Sequence, residues 1–290
     1  MTTSPTIALT GASGQLGQRI IDALLAKVPA SRLVATARTP SKLQHLADKG
    51  VEVREADYDR PETLARAFAG VDTLLLISAS EIGKRAPQHL AVIEAAKAAG
   101  VKLLAYTSIL HADTSPLSLA EEHRQTEADL KASGLPHVIL RNGWYAENYL
   151  GSVPVALQHG AFLGSAVEGR ISWANRDDFA EAAAAVLTSE SDQAGRVYEL
   201  AGDEAYTLSE LVAEVARQTG KAVVYNDMPE NAYKDVLLGV GLPEALASMI
   251  ANSDVGASQG ALYDDSRQLS QLIGRPTISL KDSVAQALKA

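Results

Sequence analysis

Up to Arg141 the chain alternates two hydrophobic rhythms. Short, nearly continuous apolar runs occur at 6–10 (TIALT), 32–38 (RLVATAR), 51–56 (VEVREA), 72–78 (DTLLLIS), 102–108 (KLLAYTS) and 137–141 (HVILR). Between them lie segments of helical spacing: GQLGQRIIDALLAK, PSKLQHLADKG, PETLARAFAG, PQHLAVIEAAKAAG and AEEHRQTEADLKASG. Strands that are apolar on both faces need helices on both faces, so the alternation predicts a parallel sheet. Gly50, Gly70, Gly100 and Gly134 stand just before a new run, where a left-handed residue ends a helix. The expected fold class is α/β, a doubly wound parallel sheet of the dinucleotide-binding Rossmann type over residues 1–142. A smaller, mostly helical C-terminal lobe over residues 143–290 follows, with some segments expected to pack back on the core.

After Arg141 the rhythm loosens. NGWYAENYLGSVPVALQHGAFLGSAVEGRISWANRDD mixes aromatic, glycine and polar residues, which suits a substrate-facing segment. Helical spacing returns at 177–189 (DDFAEAAAAVLTS), followed by a strand at 196–200 (RVYEL). Thr207 and Glu210 form a capping-box signature at the head of another helix that ends at Gly220. A short strand, AVVYN, precedes further helices, and Ser279 with Asp282 marks one more helix start.

Composition narrows the function classes. With 47% hydrophobic and 21% charged residues over 290 positions, the chain can bury a substantial core. Its net charge of -9 gives no broad attraction for nucleic acid or an anionic membrane. The absence of cysteine excludes disulfides, thiolate catalysis and Cys-based metal sites. MTTSPTIALTG carries no basic region followed by an apolar stretch, and no run approaches the roughly 18 apolar residues of a membrane span. No metal, no nucleic acid and no membrane span are expected, and a cytoplasmic location follows; a homodimer stays open.

The first βα turn carries candidate chemistry. LTGASGQLGQRI spaces Gly11, Gly14 and Gly17 three apart, a pattern that lets backbone amides approach a pyrophosphate at a helix N-terminus. Gly11, Ala12, Ser13, Gly14, Gln15 and Leu16 are therefore candidate cofactor ligands. At the end of the second strand an NAD site needs a carboxylate for the ribose, whereas an NADP site needs cations. ATARTPSKL offers no acid but has Arg38 and Lys42, which favours NADPH. Asp57 and Tyr58 follow the third strand, where adenine is flanked. Ser78, Ala79 and Ser80 follow the fourth, where the nicotinamide ribose passes, and Thr107 ends the fifth. For each of these an ordinary loop role is the alternative.

TGASGQLG, APQH, AAKAAGVK, YTSILHADTSPL, EEHRQTE, LRNGWYAENYL and SDVGAS together resemble an NmrA-like atypical short-chain dehydrogenase, and the similarity runs over essentially the whole chain. That resemblance implies NADPH cradled by Gly11 to Leu16, with Arg38 and Lys42 on the 2′-phosphate. It also implies a quinone as the small-molecule partner. Asn142, Gly143, Trp144 and Tyr145 would line the cofactor, and Asn142, Trp144, Tyr145, Glu147 and Asn148 the acceptor. Relatives of this kind include reductases of triarylmethane dyes and NADP-sensing regulators without turnover, so both remain alternatives.

The helix at 120–134 decides what sort of reductase this could be. A conventional short-chain dehydrogenase carries Tyr-x-x-x-Lys there to protonate an alkoxide. Here the positions four apart are His123 and Glu127. Hydride addition to a quinone gives a delocalised hydroquinone anion that water can protonate, so the acceptor need only be held against the cofactor. Direct two-electron transfer without a flavin is the expected reaction. Asn142 and His123 are the catalytic candidates. His123 either donates a proton or pairs with Glu127 one turn on.

Overall fold

The computed structural model describes residues 5–289. Residues 1–4, part of the N-terminal stretch in which no leader is expected, and residue 290 lie outside the described residues. The chain forms two compact units. One comprises Met1–Ile109, Glu122–Arg141 and Phe179–Tyr198, the other Leu110–Glu121, Asn142–Asp178 and Glu199–Ala290.

The nine strands among the described residues are β1 (Ile7–Leu9), β2 (Leu33–Ala37), β3 (Glu52–Glu55), β4 (Thr73–Leu76), β5 (Leu103–Ile109), β6 (His137–Asn142), β7 (Ala161–Gly164), β8 (Val197–Leu200) and β9 (Val224–Asp227). A seven-stranded sheet has the order β3-β2-β1-β4-β5-β6-β8. Strand β1 pairs in parallel with β2 and β4, β2 with β3, and β4 with β5, with Ile7 opposite both Leu33 and Thr73. Strand order reverses direction between β1 and β4, and such a switch point leaves a crevice at the carboxyl ends of the two strands. The apolar runs predicted a sheet covered on both faces, and β1 and β2 are buried at every position.

In the first unit Val34, Leu64, Phe68, Leu74, Leu76, Val92, Ile93, Leu104 and Leu130 form one contiguous buried cluster. Each fully buried aliphatic of this size contributes about 1.5–3 kcal/mol. The helices start and stop where the sequence directs. Gly50, Gly70, Gly100 and Gly134 all have positive φ, the left-handed geometry that glycine adopts without a Cβ penalty. One expectation needs correction. PSKLQHLADKG is not one helix but a 3-10 turn at Pro40–Leu43 followed by a four-residue helix, Gln44–Ala47. Leu43 leaves helical geometry, with φ -108° and ψ 13°, where the two join.

In the second unit helices dominate: Leu208–Thr219, Glu230–Gly239, Glu244–Ser258, Gln268–Ile273 and Leu280–Ala287. The capping box at Thr207 forms in both directions, and the Ser279 side chain accepts from the Asp282 amide. A second sheet pairs β7 with β9 in parallel. The β7 segment lies inside the stretch read from sequence as irregular, because only four residues form it. No helix among the described residues is long and apolar enough to cross a membrane.

Candidate functional site

The glycine loop leaves β1 and turns at Gly11, whose φ of +61° suits glycine. Gly14 caps the helix Gln15–Leu25 and donates its amide to the Gly11 carbonyl at 2.9 Å. Gly17 is required by contact, since a Cβ there would stand 2.4 Å from the Gly11 oxygen and 2.8 Å from the Ala12 Cα. The third glycine thus packs the helix against the loop itself. The helix has no side-chain cap and no acid in its first turn, so its N-terminal amides and dipole are suited to an anion. Thr10 binds the loop to β4, because its hydroxyl accepts from the Ile77 amide at 3.0 Å.

The other candidates of the first unit divide by exposure. Arg38 is exposed and pairs with Glu81 at 2.8 Å, an acid from beyond β4 that a reading of the second strand alone could not foresee. Lys42 is exposed on the 3-10 turn. Asp57 is tied within its own loop, accepting from the Asp59 amide and the Arg60 Nε at 3.1 Å each. Tyr58 is half-buried, and burial pushes its phenol up to about 12. Ser78 donates its amide to the Thr107 Oγ1 at 2.9 Å, which ties the exit of β4 to β5. Ser80 is exposed.

His123 and Glu127 do not pair. Glu127 receives Arg141 through both oxygens, at 3.1 Å from Nε and 2.7 Å from Nη2, and the Ser108 hydroxyl at 2.5 Å. His123 Nδ1 lies 2.6 Å from the Tyr106 hydroxyl. Burial drives its imidazole well below the ordinary histidine range, with the Arg85 charge acting the same way. The pairing expected along the helix gives way because β5 and β6 supply stronger partners. A neutral, buried imidazole in this position is poorly suited to proton delivery near neutral pH.

In the second unit the segment after β6 is built around Arg176. Its guanidinium carbon stands 4.4 Å over the Tyr145 ring, Nη1 pairs with Glu147 Oε2 at 3.1 Å, and Nη2 donates to Asn148 Oδ1 at 3.0 Å. Glu147 Oε1 also accepts the Arg176 amide at 2.9 Å. One residue therefore joins three acceptor-site candidates. Sequence reasoning missed it because RDD reads as the start of the next helix. Asn142 donates to the Tyr145 hydroxyl at 3.3 Å, and burial pushes that phenol up. Asn142 Oδ1 and Trp144 Nε1 are buried without a hydrogen-bond partner, on side chains only 5% and 9% exposed. A buried amide oxygen needs a donor and a buried indole N–H needs an acceptor. Gly143 is confined, for a Cβ would come 3.0 Å from the Leu200 oxygen.

A family model described as NAD(P)H-binding matches residues 11–190. The chain belongs to this NAD(P)H-binding family. It is 57% identical over 279 residues to Quinone oxidoreductase 2 of Escherichia coli (strain K12), an alignment covering 96% of this chain and 97% of that one. The crystal structure of an NADPH-dependent quinone oxidoreductase complexed with NADPH, also from Escherichia coli, matches with a TM-score of 0.95 and 55% identity, over 98% of this chain and all of that one. The NADP(H) complex of Citrobacter sp. triphenylmethane reductase matches with a TM-score of 0.93 and 38% identity, over 97% and 100%.

Within this NAD(P)H-binding chain the segment SDVGAS holds a further buried acid. Asp254 is 1% exposed and accepts from the Tyr149 hydroxyl and the Ser165 amide, each at 2.9 Å. Burial pushes its carboxyl up to about 6 against those two stabilising bonds. No group of three or more His, Cys, Asp or Glu side chains among the described residues is placed to hold a metal ion.

Proposed function

We propose that this chain is an NADPH-dependent quinone oxidoreductase that works by direct hydride transfer, without a flavin and without a Tyr-x-x-x-Lys proton donor. The observation that carries the reading is the 57% identity, over 96% of the chain, to a quinone oxidoreductase. NADPH, when bound, supplies the hydride. The chain's own part is to bind, orient and exclude.

The loop from Gly11 to Leu16 and the uncapped helix start would hold the pyrophosphate. Arg38 and Lys42 would hold the 2′-phosphate, with Arg38 exchanging Glu81 for it. Tyr58 would flank the adenine, and residues 78–80 would line the ribose of the nicotinamide half. The partnerless Asn142 Oδ1 and Trp144 Nε1 support a role in binding the nicotinamide or the acceptor. Tyr145, held flat by Arg176, offers a face for an aromatic ring. Glu147 and Asn148 would act through Arg176. Because His123 and Glu127 are committed to Tyr106, Ser108 and Arg141, the final proton is left to water.

The proposal includes a small-molecule quinone as partner and a cytoplasmic setting. Purified protein with NADPH and 1,4-benzoquinone should consume the cofactor above the protein-free rate, and much more slowly with NADH. Tight NADPH binding without consumption, across a panel of quinones, would favour an NADP-sensing regulator instead.

A further inference from the structure

The backbone of Ala79, three residues beyond β4, is gripped on both sides by one helix. Its N–H donates to His89 Nε2 at 2.9 Å, and its carbonyl accepts from Arg85 Nε at 2.9 Å. Both side chains come from the helix Arg85–Ala98, four residues apart and so on one face. Both are buried: Arg85 is 5% exposed and His89 has no exposure at all. Each is anchored in turn. Glu122 takes the Arg85 amide and its Nη1, at 3.0 Å each. His89 Nδ1 lies 2.9 Å from the Thr126 hydroxyl.

These contacts fix the tautomer. A backbone amide can only donate, so Nε2 must be bare. The Thr126 hydroxyl gives its own proton to the Glu122 carbonyl at 2.9 Å, so it accepts from Nδ1–H. The imidazole is thus a neutral relay between a loop and a helix. Its surroundings keep it so: the Tyr106 ring stands edge-on at 5.3 Å, and burial with the Arg85 charge brings the imidazole down to about 3. Charged and titratable groups on the packed elements are Arg85, Glu122, His123, Glu127 and Tyr106.

Burying a guanidinium and an imidazole is costly unless each is fully bonded. Here both are directed at the backbone of one residue in an irregular segment. The neighbouring Ser78 amide is taken by Thr107, so two successive amides are held from within. We propose that His89, with Arg85, is a positioning residue that fixes the 78–80 segment against the nicotinamide half of NADPH. The inference rests on the proposed placement of residues 78–80 beside the nicotinamide ribose.

The test separates the halves of the cofactor. Titration calorimetry is run with NADPH and with adenosine 2′,5′-bisphosphate, which lacks the nicotinamide half. His89→Ala should raise the Kd for NADPH about tenfold, the effect of one lost neutral hydrogen bond, and leave the bisphosphate within about twofold. His89→Gln keeps an acceptor for the Ala79 amide and should recover NADPH affinity to within about threefold of the parent. Equal weakening of both ligands, or unchanged NADPH affinity in a folded His89→Ala, overturns the inference. If the parent protein binds neither ligand, the cofactor reading itself fails, and this inference with it. Nitrogen NMR of the parent protein needs no variant: the His89 shifts should place the proton on Nδ1, and an Nε2-protonated ring contradicts the relay.

Discussion

Arg141 and Glu127 form a two-point ion pair across fourteen positions, with side chains only 10% and 13% exposed. The pair holds β6 to the helix Ala120–Ser133. Removing one partner leaves the other charged and buried. Glu127→Ala should therefore lower the unfolding free energy by about 3 kcal/mol or more. Urea denaturation with an unchanged slope checks it. A loss near zero would mean that the pair is not part of the packed core.

His123 should be dispensable for chemistry. His123→Ala, assayed on folded protein at saturating NADPH, should keep kcat within about fivefold of the parent, since proton transfer by a positioned base contributes typically 10²–10⁴-fold. Its stability should fall, because the Tyr106 hydroxyl loses its partner. A loss of several orders of magnitude in kcat, with NADPH binding intact, would assign the proton to His123 after all.

Arg176 should matter more than any single member of the NGWYAENY segment. Arg176→Met removes the contact over Tyr145 and both side-chain links to Glu147 and Asn148. The quinone kcat/KM should fall about tenfold or more, corresponding to roughly 1.4 kcal/mol, while the NADPH Kd changes little. Arg176→Lys should not restore it, because an ammonium lacks the planar fork. Full activity in Arg176→Met would detach this cluster from the acceptor.

Asp254 sets a pH dependence of definite sign. Burial raises its folded carboxyl to about 6, above the ordinary aspartate range, so the folded state holds the proton more tightly. The resulting stabilisation is present below the unfolded value and is lost as pH rises through about 6. Compared with Asp254→Asn, which stays neutral, the parent should gain on the order of 2 kcal/mol as pH falls from about 7 to about 4. Parallel stability profiles for the two proteins would show that Asp254 is not perturbed.

The sheet was legible because its strands are apolar on both faces, and the helix ends because glycine and Thr207 have few other conformational uses. The short β7 and the broken helix after Pro40 were not, since four-residue elements carry too little periodicity. The site divides in the same way. Gly11 to Leu16 follow from local spacing, whereas the partners of Arg38, Glu127 and Tyr145 come from 43, 14 and 31 positions away, Glu81, Arg141 and Arg176 respectively. Helical spacing suggested a His123–Glu127 pair, but Tyr106 and Ser108 on β5 and Arg141 on β6 take these side chains instead of the neighbour one turn along.

The central claim is hydride transfer to a quinone with no intermediary carrier. Its most direct test is a single turnover of purified, flavin-free protein with NADPH carrying deuterium at the transferred position, mixed with excess 1,4-benzoquinone. The account predicts one hydroquinone formed per NADPH consumed, with the deuterated cofactor reacting more slowly. NADPH that stays bound and unoxidised, or turnover that depends on added flavin, would contradict it.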